Sequence, residues 1–421
     1  MRRRGVAVAA AACVAVAAIV AGGIIALSSG GSPARHVRTG PGGGGGPATA
    51  RPPAAPPTAA APTAAGPTAA APAPALPAPR GQAFGVNVNR LFNDRTYTTG
   101  QISGQLAALR ATGATVARSD AFWEAAEPRA PVAGQHRYDW SFDDQVAGAL
   151  AAHGLTWLPI IDYTAPWAQT VPGQDHSPPR SDADYAAYAG AFAARYCSGG
   201  AFWRAHPELD PRPVTSLEIW NEPDNPEFWA PRPDPAAYAQ LYEAARTAID
   251  AARPGIRVLV GGLTDPAAFL PAMVQASPAL RAGVDGVAVH PYGAPGVVVS
   301  RVRGARATLV RLGMAGVPLY ITEFGWTTQP PGAIAYTPAG RRPAEIDGVL
   351  TTLGHLRCGL AAALLYTWVT PQRNPADAQD WYGIANPSDP AAGTPDTAAF
   401  AAGLRGATQP PAGPGPAPCP T

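Results

Sequence analysis

The stretch at residues 216–229 reads SLEIWNEPDNPEFW, and residues 317–326 read VPLYITEFGW. In both, an apolar, strand-like run stops at a carboxylate: Glu222 in Asn221-Glu222-Pro223, and Glu323 in Thr322-Glu323-Phe324. Only 14% of the chain is charged, so acids closing apolar runs need an explanation. Two such carboxylates facing each other can break a glycosidic bond: one protonates the leaving oxygen, and the other acts on the anomeric carbon or on a water. The two tasks need opposite ionisation, because the acid must hold its proton near neutral pH and the nucleophile must not. Glu222, between Trp220 and Pro223 with no cation beside it in sequence, suits the acid. A lone glutamate at a strand end is ordinarily a surface or salt-bridged residue. Two of them with these neighbours favour the catalytic reading.

Chemistry shared by residues so far apart requires elements that converge. Eight apolar runs read as strands: 83–89, 115–120, 156–162, 214–222, 256–264, 284–292, 317–326 and 360–369. A helical pattern follows each; one ends at Gly154, and another starts at Ser181 or Asp182 as N-cap. Short apolar runs alternating with helices predict an α/β fold, a (β/α)8 TIM barrel of parallel strands buried on both faces. The rival is a doubly wound open sheet, but no GxGxxG follows the first strand. Barrel chemistry sits at the C-terminal strand ends. Polar residues gather there: Asn87 and Asn89, Arg118 and Asp120, Asp162 and Tyr163, Asn221 and Glu222, His290 and Tyr292, Glu323, and finally Trp368. Seven of the eight strands ending this way predict one shared cleft.

The 421 residues carry 31 basic and 29 acidic side chains, a net charge of +2 with no footprint for nucleic acid. Residues 1–28 combine three arginines with an apolar run, read equally well as a cleaved signal peptide or as a signal anchor in the membrane. In either case the remainder is exported, so the expected location is extracellular, secreted or tethered to the cell surface. Residues 29–80, rich in Pro, Ala, Gly and Thr, predict a disordered, semi-rigid linker. The catalytic barrel is expected over 81–408, with a Pro-rich tail at 409–421. Cys197, Cys358 and Cys419 allow one disulfide and one free thiol. Cys419 on the tail lies within reach of the seventh helix, which favours Cys358–Cys419. No Cys/His cluster has metal-ligand spacing.

IWNEP together with ITEFGW resembles the clan of (β/α)8 retaining glycoside hydrolases, most closely family 39 with family 5 close behind. VARSDAFWEAAEP after the second strand, HPY after the sixth and YTW in the eighth add to the likeness, which covers about residues 83–405. The resemblance implies an acid/base at Glu222, a nucleophile at Glu323 and a 2-hydroxyl contact from Asn221. It implies that Arg118 and Tyr292 hold the nucleophile, that His290 borders the site, and that Trp368 forms the floor under the sugar ring. It implies no cofactor and no metal, and a monomer acting on a β-linked carbohydrate. A barrel that only binds carbohydrate and a cell-wall transglycosylase using the same site remain the alternatives.

Three further expectations concern neighbours. Glu218 shares strand parity with Glu222 and points inward, where Arg118 could become its partner instead of the nucleophile's. Glu127 shapes the loop after the second strand. Trp123, Trp167, Trp229, Trp326, Trp368 and Trp381 fall near strand ends and could stack on sugar, with Phe228-Trp229 walling a subsite, whereas Trp140, Trp157 and Trp203 read as core.

Overall fold

The computed structural model describes residues 81–411 and 416–419. Eight strands, β1 (Ala83–Asn87), β2 (Val116–Phe122), β3 (Thr156–Asp162), β4 (Ser216–Ile219), β5 (Arg257–Leu263), β6 (Gly286–Val289), β7 (Leu319–Phe324) and β8 (Leu360–Leu365), pair in chain order. All pairs are parallel, and β1 joins both β2 and β8, closing the barrel. A long helix follows each strand: α1 (Thr99–Ala111), α2 (Ser141–Ala152), α3 (Asp182–Tyr196), α4 (Pro235–Ala252), α5 (Pro266–Ala276), α6 (Pro295–Arg311), α7 (Arg342–His355) and α8 (Pro395–Thr408). This is the expected (β/α)8 barrel, and closure excludes the open sheet.

The strands are apolar on both faces because both are covered. Inside, Leu158, Leu259, Ala288, Tyr320 and Leu364 fill the lower barrel. Outside, Val86, Ile161, Leu217, Val260 and Ile321 pack in the layer under the helices. Buried tyrosines tie the layers together: the hydroxyls of Tyr188, Tyr238 and Tyr242 donate to the carbonyls of Ala121, Ile219 and Val258 at 2.9, 2.7 and 2.8 Å. Helix starts are capped by local side chains. Thr98 and Gln101 form a capping box on α1, Ser181 rather than Asp182 caps α3, and Asp234 and Asp265 cap α4 and α5 ahead of prolines. Each such cap contributes about 1 kcal/mol.

Every strand but the second and third stops earlier than its apolar run. At β4 the reason is backbone shape: Trp220 and Glu222 have φ of 66° and 47°, left-handed values that end the pairing. Non-glycine residues in that region are strained, and such strain concentrates at functional sites. Asn221, Glu222, His290 and Tyr292 therefore stand on loops just past their strands, whereas Arg118, Asp120, Asp162 and Glu323 lie within theirs.

Cys358, just past α7, is bonded to Cys419, and Cys197 is free and buried. The tail is also held by Arg303, whose Nη2 donates to the Ala417 carbonyl at 2.6 Å. The expected N-terminal apolar helix and the linker lie outside the described residues. Among the described residues no helix is long and apolar enough to cross a membrane.

Candidate active site

Arg118 is the hub. It rises from the inner face of β2 with no solvent exposure and spends its whole guanidinium on four neighbours. Nε and Nη2 grip Glu218 of β4 at 2.7 and 3.1 Å, Nη1 donates to Asn87 at 2.8 Å and to Glu323 at 2.6 Å, and Nη2 also donates to Asn221 at 2.9 Å. The choice between Glu218 and Glu323 as its partner is thus answered by both. A planar five-donor fork can do this where a lysine could not. Glu218 also accepts from the Gly262 amide at 2.8 Å and the Thr322 hydroxyl at 3.2 Å, so both oxygens of this fully buried carboxylate are hydrogen-bonded.

Glu323 stands at the cleft end of β7, where the register with β8 shifts between Ile321 and Phe324. The irregularity lets Thr322 and Glu323, adjacent in sequence, both reach the interior contacts above. The second oxygen of Glu323 accepts from Tyr292 Oη at 2.7 Å. Burial opposes its charge, but His290, Arg118 and the Tyr292 hydroxyl outweigh burial and hold the carboxyl below its ordinary value.

Glu222 faces it from the β4 loop. Its Oε1 lies 2.7 Å from His290 Nδ1, and its Oε2 accepts from Asn225 at 2.7 Å. Sequence proximity showed no cation beside Glu222; the fold supplies an imidazole from the β6 loop. His290 Nε2 lies 3.0 Å from the Thr322 hydroxyl. Burial disfavours charge on this ring, yet Glu323 and Glu222 raise its pKa above the ordinary value. Gly262 makes room for it, since a Cβ there would sit 2.0 Å from His290 Nε2. One oxygen each of Glu222 and Glu323 and a nitrogen of His290 lie within 4.8 Å of one another. Those three atoms could grip a cation, but hydrogen bonds and Arg118 already occupy the carboxylates.

The other expected residues divide. Asn221 has its Oδ1 tied to Arg118 beside the two glutamates. Asn89 donates to Asp120 Oδ2 at 2.8 Å, and Asp162 is fully buried below it. Trp368 is not the floor: it is 1% exposed, and its indole N–H donates to Gln105 of α1 at 2.8 Å, in the layer between barrel and helices. Trp326 is likewise buried, donating to the Gly293 carbonyl at 2.9 Å. Trp123 and Trp229 are buried too, while Trp167 and Trp381 remain partly exposed. The residue that reaches the cleft from β8 is the half-buried Tyr366, whose ring lies 6.3 Å from Tyr292 and 5.3 Å from Tyr382. Strand parity could have found it, since Ala362, Leu364 and Tyr366 alternate onto the inner face. Phe228 stacks on Tyr163 at 6.3 Å and meets His176 at 5.1 Å, an aromatic wall beside Glu222. Glu127 accepts from Trp123 at 3.0 Å and from the Arg137 amide at 3.2 Å, fastening the loop after β2 as expected.

No protein-family model and no curated protein matches the chain. Solved structures do. A monomeric beta-xylosidase from Caulobacter crescentus CB15 is 22% identical with a TM-score of 0.58, covering 78% of this chain and 69% of that one. A GH39 enzyme from Xanthomonas axonopodis pv. citri is 20% identical with a TM-score of 0.59, covering 78% and 67%. A glucosidase from Croceicoccus marinus is 16% identical with a TM-score of 0.55, covering 78% and 68%. At identities below a quarter, what the chain shares with these glycoside hydrolases is the (β/α)8 fold.

Proposed function

We propose that this protein is a retaining glycosidase that hydrolyses a β-linked poly- or oligosaccharide. The observation that carries the reading is the pair Glu222 and Glu323, with an oxygen of each within 4.8 Å of the other. Retaining enzymes hold their carboxyls about 5–5.5 Å apart, whereas inverting ones leave room for a water. Glu323 is kept ionised by His290, Arg118 and Tyr292; Glu222 meets His290 and Asn225 but does not touch Arg118.

In the first step a Glu323 oxygen bonds to the anomeric carbon as the bond to the leaving oxygen breaks, and Glu222 gives that oxygen its proton. In the second, Glu222 takes a proton from water, whose oxygen bonds to the anomeric carbon while the ester to Glu323 breaks. Asn221, with Oδ1 fixed by Arg118 and its amide also bonded to Tyr163, has a second Nδ2 hydrogen to offer the sugar 2-hydroxyl. The half-buried Tyr366 supplies an aromatic face for the ring. Beta-xylosides are the first substrates to try, because beta-xylosidases are among the fold neighbours.

The location we propose is extracellular, reached through the apolar segment at 1–28, with the chain secreted or tethered. The disulfide between Cys358 and Cys419 supports an oxidising compartment. The test is trapping with 2-deoxy-2-fluoro-β-glycosides, xyloside first, followed by peptide mass analysis. A sugar adduct on Glu323 is expected; an adduct on another residue, or none across the panel, overturns the reading.

A further inference from the structure

Asp120 and Asp162 stand on the inner faces of the adjacent strands β2 and β3. Asp162 has no solvent exposure, and no protein N–H or O–H reaches either of its oxygens. Asp120 retains 7% exposure, and its Oδ2 accepts from Asn89 at 2.8 Å and Asn93 at 2.5 Å. That carboxylate fixes both amides with nitrogen inward, and the Oδ1 of each is left buried without a partner. The cluster therefore consists of acceptors looking for donors. As two carboxylates, Asp120 and Asp162 would repel and leave a buried charge unpaired, which proteins avoid. As one acid facing one carboxylate, they make a hydrogen bond.

The surrounding charges point the same way. Asp120 faces Arg118 and Glu323, with Tyr366 nearby; Asp162 faces Arg118 and Glu218, with Tyr163, Tyr185 and Tyr188 nearby. The one cation among these groups, Arg118, already serves Glu218 and Glu323. Burial pushes the Asp162 carboxyl well above its ordinary value and Asp120 up to about 6.

We propose that Asp120 and Asp162 share one proton, with Asp162 as the positioning residue that donates to Asp120, and that Asp120, held by Asn89 and Asn93 and still 7% exposed, accepts a donated hydroxyl of a neutral sugar. The sugar part rests on the glycosidase reading; the proton-sharing pair does not. Near neutral pH the infrared difference spectrum between the wild type and Asp162→Asn is expected to show a protonated carboxyl band that the variant lacks. This readout needs no turnover, so it tests the pair even if no glycoside is cleaved, an outcome that would count against the glycosidase reading alone. A difference spectrum without that band overturns the shared proton.

The positioning role is tested on turnover of a neutral β-glycoside. An amide in place of the acid can still donate, so Asp162→Asn should keep kcat/KM within about threefold of wild type, whereas Asp162→Val should lose about tenfold or more, the worth of a hydrogen bond to a charged group. Circular dichroism and melting curves report folding of each variant. Equal loss in both variants, or equal retention in both, overturns the role.

Discussion

Arg118 and Glu218 form an ion pair at the centre of the barrel from which water is excluded: Nε to Oε2 is 2.7 Å, and neither side chain has any solvent exposure. The pair gives the site a fixed cation. Arg118 reaches Glu323 through Nη1 while Nε and Nη2 stay on Glu218, so its position against the nucleophile depends on a carboxylate that does no chemistry. Breaking one half of a buried pair costs about 3–5 kcal/mol, because the other half is left uncompensated. Glu218→Ala is therefore expected to lose that much stability in denaturant titration. A variant within about 1 kcal/mol of wild type would show that Glu323, Asn87 and Asn221 suffice to hold Arg118.

Removing the two carboxylates of the reaction should have different signatures. Glu323→Gln leaves nothing to attack the anomeric carbon, and turnover should be lost for every leaving group. Glu222→Ala removes general acid–base assistance, worth about 10²–10⁴-fold. That loss should be smallest for aryl glycosides, whose leaving groups need no proton, and azide should restore turnover as a nucleophile that needs no base. Steady-state rates on aryl and alkyl glycosides, with and without azide, separate the cases. Identical losses in the two variants would remove the distinction between their roles.

The frame of this site was legible in the sequence because a parallel barrel writes itself as apolar runs followed by helices, and β3 has the bounds its pattern predicts. Glu222, Glu323, Asn221, Arg118, His290 and Tyr292 were legible only together: one polar residue closing an apolar run is ordinarily bland, but several runs ending so point to one place. What the sequence hid is chain direction beyond the strand end. Trp368 follows Tyr366 at strand spacing, yet its amide bonds the Asn87 carbonyl at 2.9 Å and its indole turns outward to Gln105. The β7 irregularity that lets both Thr322 and Glu323 serve the site also has no sequence mark. Nor does the imidazole 2.7 Å from Glu222, which arrives from another strand.

The opposing shifts of Glu323 and His290 bound a pH window. Glu323 has its carboxyl lowered below 4.5, so its contribution to stability is present above that value and is lost as pH falls through the folded value. His290 is raised above 6.5, so its contribution is full below 6.5 and is lost as pH rises through its folded value. Stability carried by this cluster should peak between the two. Tyr292→Phe removes one donor that holds Glu323 ionised. The acid limb of kcat/KM should then move to higher pH, while the alkaline limb stays. A pH–rate profile of the variant superimposable on wild type would remove Tyr292 from that role.

Cys358–Cys419 closes a loop with a sequence separation of 61 and pins the tail beside α7. On the chain-entropy account a loop of that size stabilises by about 4 kcal/mol. Cys419→Ser should lower the urea midpoint accordingly, and reductant should do the same to wild type but nothing further to the variant. Turnover at temperatures well below unfolding should be unchanged, because the bond lies among the helices rather than at the cleft.

Tyr366 and Trp368 give the sharpest contrast between cleft and core. Trp368 is 1% exposed and its indole N–H is satisfied by Gln105, so Trp368→Ala opens a cavity and orphans an acceptor. The expected cost is about 3–5 kcal/mol of stability. Tyr366 is half-buried, with its hydroxyl on Gln379 at 2.8 Å and its ring beside Tyr292. Tyr366→Ala should lose much less stability but raise KM, since the face offered to the sugar ring is gone. Melting curves and steady-state kinetics on the two variants provide the comparison. If Trp368→Ala proved stable and slow while Tyr366→Ala proved unstable and active, the assignment of floor and core would have to be exchanged.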